Sequence, residues 1–278
     1  MEATQNDSWA CATVEREGPV ARVRLRASGK APRMGPDFWR ELPGLFGRLD
    51  EDPAVRAVVL DSDGEHFSYG LDLTAMGAEL APLLDPGAGP AARTELLAVI
   101  TRMQGAITAV ARCRKPVIAA VRGWCLGGGV DLITACDVRL CTADARFSVR
   151  ETRLAMVADV GTLARLPLLV GEGVARELCL SGDDVDAARA LRIGLVNDVC
   201  ETPEALTARA LSLASRIAAN APLTVQGVKQ VLNARVEAQT RENLALVALW
   251  NAAFLPSLDL QEAFAAFVEK RPPVFRGT

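Results

Sequence analysis

One histidine and one tyrosine, His66 and Tyr69, are all that this chain of 278 residues has of either. That scarcity excludes a metal site built on several histidines. A serine triad would have to use His66, and no G-x-S-x-G turn is present to carry its nucleophile. General acid–base chemistry otherwise falls to Asp, Glu, Lys, Cys or that tyrosine. Neither sign of charge dominates, with 31 Lys and Arg against 34 Asp and Glu and a net charge of −3. No long-range field therefore favours nucleic acid or an anionic membrane, and no basic run is interleaved with aromatics. An anionic ligand must be held by a local site. No apolar run is long enough to span a membrane. The seven cysteines are odd in number and include no C-x-x-C, so neither a zinc site nor a redox pair is expected. Reduced thiols in a cytoplasmic protein are the simplest reading. The opening MEATQNDSWACATVERE lacks the basic-then-apolar order of a leader, and the closing residues lack the tripeptide that addresses proteins to peroxisomes.

What the sequence has is apolar material in quantity, 50% of its residues, enough for a large core. VARVRLR at 20–26 alternates apolar and basic residues and predicts a half-buried strand after a turn at Glu17-Gly18-Pro19. Pro36 opens a helical pattern through Phe38, Trp39, Leu42, Leu45, Phe46 and Leu49, which Pro43 and Gly44 weaken. Residues 54–60 and 116–121 are β-branched runs of buried strands. Residues 77–92, rich in Gly, Pro and Ala, read as a mobile excursion, and an amphipathic helix is expected over 93–113. VDLITAC after Gly127-Gly128-Gly129 is a short apolar helix. Further strands are expected at 138–141 and 147–149. From about 161 the pattern is helix after helix. Strand-then-helix units with a helical tail predict an α/β core, residues 1–200, and a helical C-terminal region, 201–278.

Two glycine-containing loops follow buried strands: Phe67-Ser68-Tyr69-Gly70-Leu71-Asp72-Leu73, and Trp124 through Asp131. Each is a connection on its face, but glycine lets backbone approach a ligand closely, and free N–H groups at a helix start can donate to a developing negative charge. One N–H from each loop would make an oxyanion hole. The phosphate-loop and dinucleotide patterns are both absent. Three carboxylates stand out beside these loops. Asp131 sits at the start of an apolar helix, where a charge near the N-terminus is favourable in itself. Glu151 lies between Arg150 and Arg153 and reads in isolation as part of a surface ion pair. Asp159, in the apolar stretch LAMVADVGTLARL, is either an N-cap for the next helix or a buried functional group.

Taken together these segments resemble the crotonase (enoyl-CoA hydratase/isomerase) superfamily. KPVIAAVRGWCLGGGVDLITACDVRLCTADARF is similar to its signature, HFSYGLDL to its first oxyanion-hole segment, and the tail ending AFVEKRPPVF to its C-terminal helices. The likeness runs from about residue 12 to 275. Within the superfamily, GGGVDLITACDVRLCTADARFSVRETRLAMVADVGTLARLP looks most like dienoyl-CoA isomerases, which carry acids where this chain has Asp131, Glu151 and Asp159. PLTVQGVK and FWREL resemble the same subfamily. Enoyl-CoA hydratases carry Glu at the position of Asp131 and a small residue at that of Asp159.

The resemblance implies a ββα superhelical core with a trimerising helical tail. It also implies oxyanion-hole N–H groups on Leu71 and Gly128, with Glu151 as base near C2 and Asp159 as acid near C6. Asp131 would tune that pair. Arg33, Met34, Ser68, Tyr69, Gly70, Asp72, Leu73, Gly127 and Lys270 would contact the acyl-CoA. Here Pro32-Arg33-Met34 replaces the family's usual N-A-L/M element, and Tyr69, larger than the usual residue, is expected to narrow the acyl pocket. No metal or separate cofactor is expected, since coenzyme A is part of the substrate. The implied activity is isomerisation of a 3,5-dienoyl-CoA to a 2,4-dienoyl-CoA in fatty-acid β-oxidation, by a homotrimer or homohexamer. Hydration of a 2-enoyl-CoA, or acyl-CoA binding without turnover, are the alternatives.

Overall fold

The computed structural model describes residues 9–278. Residues 1–8, which open both the 1–200 unit and the segment read as lacking a leader, lie outside the described residues. Strands β1 (Ala12–Glu17) and β2 (Val20–Leu25) form an antiparallel hairpin that turns at Gly18, whose φ of +58° suits glycine. Four parallel pairings extend it through β3 (Ala57–Ser62), β4 (Val117–Val121), β6 (Val138–Thr142) and β9 (Asp198–Cys200). The result is a six-stranded sheet in the order β1-β2-β3-β4-β6-β9. A second, three-stranded sheet joins β5 (Trp124–Leu126), β7 (Arg146–Ser148) and β8 (Val185–Asp186).

Strands β3 and β4 are buried along their whole length, as strands covered on both faces must be. Their alternate residues separate two packing layers. Val58, Leu60, Val117, Ala119 and Val121 face the main core, where α1 (Pro36–Glu51) and α3 (Pro90–Arg112) pack. Ala57, Val59, Ile118 and Ala120 face α8 (Pro203–Ala218), which meets them with Ala210, Ala214 and Ala218 at four-residue spacing. The region expected to be helical from 201 onward thus begins with a helix laid on the sheet. Helix α9 (Pro222–Phe254) then runs against α3 and against α5 (Thr162–Val170), and α10 (Leu258–Glu269) follows it. Near its start α9 is tied down by Lys229, whose Nζ donates to Asp137 Oδ2 at 2.6 Å and to the Lys115 carbonyl at 3.1 Å. Among the described residues no single helix is long and apolar enough to cross a membrane.

Three sequence expectations change. The Gly/Pro-rich stretch 77–92 is not an excursion: it contains a short helix, α2 (Gly77–Leu80), and then enters α3 at Pro90. Leu80, Leu83 and Leu84 pack on Leu96, Ile100 and Ala248, so scattered leucines outweigh the glycines around them. The stretch from 161 is not purely helical. Between α6 (Glu172–Ser181), α7 (Ala187–Arg192) and α8 lie β8 and β9, each too short to show a period, and each closes one edge of a sheet. Strand β5 also interposes between β4 and the glycine run.

Candidate active site

The first glycine loop is held in register between two other segments. On one side Ser68 N donates to the Trp124 carbonyl at 3.1 Å, and Leu126 N to the Ser68 carbonyl at 3.0 Å. On the other, Tyr69 N donates to Pro32 O at 3.0 Å, Met34 N to Gly70 O at 2.8 Å and Asp72 N to Met34 O at 3.2 Å. Backbone pairing alone therefore brings 32–34, 68–72 and 124–126 side by side. Gly70 has φ of +76°, and a Cβ there would lie 2.8 Å from the Leu126 carbonyl and 3.1 Å from Gly128 N. Only glycine allows the two loops to approach this closely. Gly127, with φ of +52°, then turns the chain into α4 (Gly128–Thr134).

Two N–H groups are left over by this pairing. Leu71 N follows the Gly70 turn and Gly128 N is the first of α4, and neither donates to an acceptor among the described residues. Met34 packs beneath them: a Cβ on Gly128 would come within 2.8 Å of its Sδ. The departure at Pro32-Arg33-Met34 thus keeps the backbone pairing and fills the space under Gly128 with a flexible thioether.

The three acids converge beside this pair. Asp131, in the first turn of α4, is fully buried, and its Oδ1 accepts from Thr162 N at 2.5 Å, at the start of α5. Its Oδ2 has no partner. Burial pushes Asp131 up to about 6, while the Thr162 contacts and the Arg165 guanidinium hold it back. Glu151 opens a 3-10 turn, Glu151–Leu154, directly after β7. Its Oε1 lies 3.2 Å from where a Gly127 Cβ would sit, and its Oε2 is buried without a partner. Burial, then the charge of Asp131, raise Glu151 to about 8. The surface ion-pair reading fails here, because Arg150 and Arg153 turn to Asp184 and Asp183 at 2.7 and 2.6 Å.

Asp159 is not an N-cap, since the cap of α5 is Gly161 and no side chain caps it. Its Oδ2 accepts from Asn251 Nδ2 at 2.7 Å, and its carbonyl from Gln104 Nε2 at 2.7 Å. Burial raises it to about 7, against the pull of the Asn251 hydrogen bond. Three acids this close cannot all be charged without mutual cost, so they titrate as a set.

Asp159 and Leu71 share the wall of a cavity of about 400 Å³. The rest of that wall is largely apolar and includes Leu73, Leu80, Ile100, Leu255 and Phe264. It is drawn from the first glycine loop, the 77–85 stretch, α3 and the C-terminal helices. Of the other sequence-derived contacts, Ser68 is fully buried and braces the loop, its Oγ accepting from Gly70 N at 3.1 Å. The Asp72 carboxylate is engaged locally by Ala75 N at 2.9 Å. Tyr69 does not narrow the cavity: its ring stands 5.6 Å from that of His66, and the Arg33 guanidinium lies 6.0 Å from it. The Tyr69 side chain is not part of the cavity wall. Lys270 is exposed and ends α10 in the left-handed conformation.

Sequence reasoning missed Asn251, Gln104, Thr162 and Arg165, all buried and all beside the acids. A signal for Asn251 was present, as a lone amide inside the apolar run ALVALWNAAFL. The others mark nothing until α3 and α5 are placed against the site. Among the described residues no group of His, Cys, Asp and Glu is arranged to hold a metal ion.

A pair of free N–H groups at facing glycine loops, buried acids beside them and an apolar cavity define a crotonase-type enzyme that processes acyl-CoA thioesters. The chain belongs to the enoyl-CoA hydratase/isomerase family, whose model matches residues 15–278. It is 42% identical, over 92% of its length and 87% of the relative's, to the mitochondrial Delta(3,5)-Delta(2,4)-dienoyl-CoA isomerase of Dictyostelium discoideum. It is 42% identical to the peroxisomal Delta(3,5)-Delta(2,4)-dienoyl-CoA isomerase of Arabidopsis thaliana, over 86% of each chain. Among solved structures it is similar to an enoyl-CoA hydratase/isomerase from Pseudoalteromonas atlantica T6c, with a TM-score of 0.82, 26% identity and coverage of 96% of this chain and 100% of that one. The relatives named for mitochondrion and peroxisome overturn the cytoplasmic placement expected above. Free thiols exclude only an oxidising compartment, so they did not carry that placement.

Proposed function

We propose that this enzyme converts a 3,5-dienoyl-CoA to a 2,4-dienoyl-CoA, with no cofactor beyond the coenzyme A of the substrate. The observation that carries the reading is the place of Asp159. It is an acid on the wall of the apolar cavity, apart from Glu151 beside the glycine turn, as transfer between two distant carbons of one acyl chain requires. Glu151 takes a proton from C2, and the C–H electron pair moves into the conjugated chain and onto the thioester oxygen. The N–H groups of Leu71 and Gly128 hold that oxygen, in a setting where one such donor is worth roughly 10²–10³ in rate. The electrons then return along the chain, and a new C–H bond forms at C6 with the proton of Asp159. Both double bonds have moved by one carbon. Glu151 releases a proton to solvent and Asp159 takes one up.

Burial raises both acids, Glu151 to about 8 and Asp159 to about 7, so the site holds protons at neutral pH. The proposed reaction requires a charged Glu151 and a neutral Asp159, the reverse of the order of these two values, so the assignment rests on their places in the site. Asp131 has one oxygen committed to Thr162 and the other unpartnered, and its charge adjusts Glu151 and Asp159. Ultraviolet absorbance of the conjugated product tests the assignment. Glu151→Gln and Asp159→Asn are each expected to lose about 10²–10⁴-fold in kcat. Wild-type rates in both would refute it, and water addition to crotonyl-CoA at a comparable rate would transfer the chain to the hydratases.

We further propose a homotrimer or a pair of trimers. Trp250 and Phe254 on α9 are 53% and 61% exposed, have ring centroids 4.7 Å apart at a 45° tilt and continue an apolar face through Leu246 and Leu249. An exposed apolar face of this kind marks an interface.

A further inference from the structure

The two carboxylate oxygens of Asp159 are not equivalent. Asn251 reaches the site from α9 and is 2% exposed. Its Nδ2 carries two hydrogens, and both are used: one goes to the Val157 carbonyl at 2.8 Å, the other to Asp159 Oδ2 at 2.7 Å. The Val157 contact fixes the amide's orientation, so the end that meets Asp159 is the donor. An oxygen that accepts from an amide cannot at the same time present its own proton along that line. The carbonyl oxygen of a neutral carboxyl is the better acceptor, so the amide bond favours Oδ2 as the unprotonated oxygen in both charge states. The proton of neutral Asp159 sits on Oδ1, the oxygen left to meet a ligand in the cavity whose wall Asp159 forms.

We infer that Asn251 is a positioning residue that keeps the transferable proton of Asp159 on Oδ1 and aims it into the cavity. The inference rests on the reading of Asp159 as the acid of the isomerisation, and adds which oxygen acts and what decides it. Gln104 supplies the contrast. From α3 it bridges the Asp159 carbonyl and the Leu244 carbonyl of α9, at 2.7 and 2.9 Å, and leaves the carboxylate alone. Asn251 supports the acid itself, whereas Gln104 supports only the backbone beneath it.

Steady-state kinetics over a pH series, with melting temperatures, separate the two roles. Asn251→Leu keeps an apolar body on α9 and removes the donor. Its kcat is expected to fall about 10- to 100-fold, in line with loss of a hydrogen bond to an ionisable group, with KM little changed. The amide favours the charged carboxylate, so its removal moves the alkaline limb of the kcat profile to higher pH. Gln104→Met is expected to lower the melting temperature and leave the limb in place. If leucine prevents folding, Asn251→Ser, too short to span both acceptors, carries the same expectation. An unmoved limb in the folded Asn251 variant, or the same kinetic change in both variants, would overturn the inference and make Asn251 a structural tie. Asp159→Asn distinguishes that failure from one of the parent reading. Wild-type rates in Asp159→Asn remove Asp159 as the acid, whereas an inactive Asp159→Asn beside a fully active Asn251→Leu removes only the role of Asn251.

Discussion

Glu151 shows what the site costs the fold. Its Oε2 is buried without a partner, and burial holds its carboxyl up at about 8 from an ordinary 4.5. The sign is opposite to that of a salt-bridged acid. Between those two values the folded chain binds more protons than the unfolded one, so stability falls as pH rises through the window and the loss is complete above it. Asp159 and Asp131 act in the same direction over narrower windows, up to about 7 and about 6. Glu151→Gln removes the titration at this position. Its melting temperature is expected to match wild type near the acid end of the window and to exceed it by a few degrees at the alkaline end. A wild-type melting curve flat in pH across this range would show that the buried acids do not carry this cost. An inactive variant more stable than its parent is what a site built for chemistry rather than for packing predicts.

Helix α9 is the element on which the site depends from outside the sheet. It spans 33 residues, delivers Asn251 to Asp159 near its end, and is pinned near its start by Lys229. The Lys229 side chain is 6% exposed and its partner Asp137 27%, so the pair is only half screened by water. Asp137 keeps a second bond from Val117 N at 2.7 Å, which softens the loss of the lysine. Lys229→Met retains the apolar stem and removes the ammonium, and is expected to cost about 1–3 kcal/mol in urea unfolding. An unchanged unfolding midpoint would show that α9 is held by its apolar contacts alone. The stretch 77–85 plays the corresponding part on the cavity's other wall, through Leu80 and Leu84.

At the scale of the molecule, the exposed face through Leu246, Leu249, Trp250 and Phe254 lies on the same helix that carries Asn251. The proposed interface and the residue that meets Asp159 therefore share one element. Mass measurement in solution is expected to give three or six copies, and charge placed on that face, as in Trp250→Asp, to shift the mass toward a single chain. A monomeric parent protein would refute the assembly proposal. The same view shows why the parallel sheet is reliable as a platform: both of its faces are covered, by α1 and α3 on one side and by α8 on the other.

Much of the core was legible in the chain. β3 and β4 are short apolar runs, α1 keeps its three- and four-residue spacing through Pro43, and the two glycine loops follow buried strands, because these features are local and periodic. The acids too could be picked out by type and context. What the sequence could not decide was their state. Glu151 between two arginines reads as a surface ion pair until Asp183 and Asp184, more than thirty residues on, take both guanidinium groups. Asp159 reads equally as a cap until Asn251 arrives from 92 positions away. Gly70 and Gly128 become one feature only when backbone pairing sets them in contact. Periodic residue patterns determined the layers, and the resemblance of long segments pointed to the family. Only the tertiary structure decided which carboxylates are buried and which of them lines the cavity, because burial and long-range hydrogen bonds join residues that no local pattern relates.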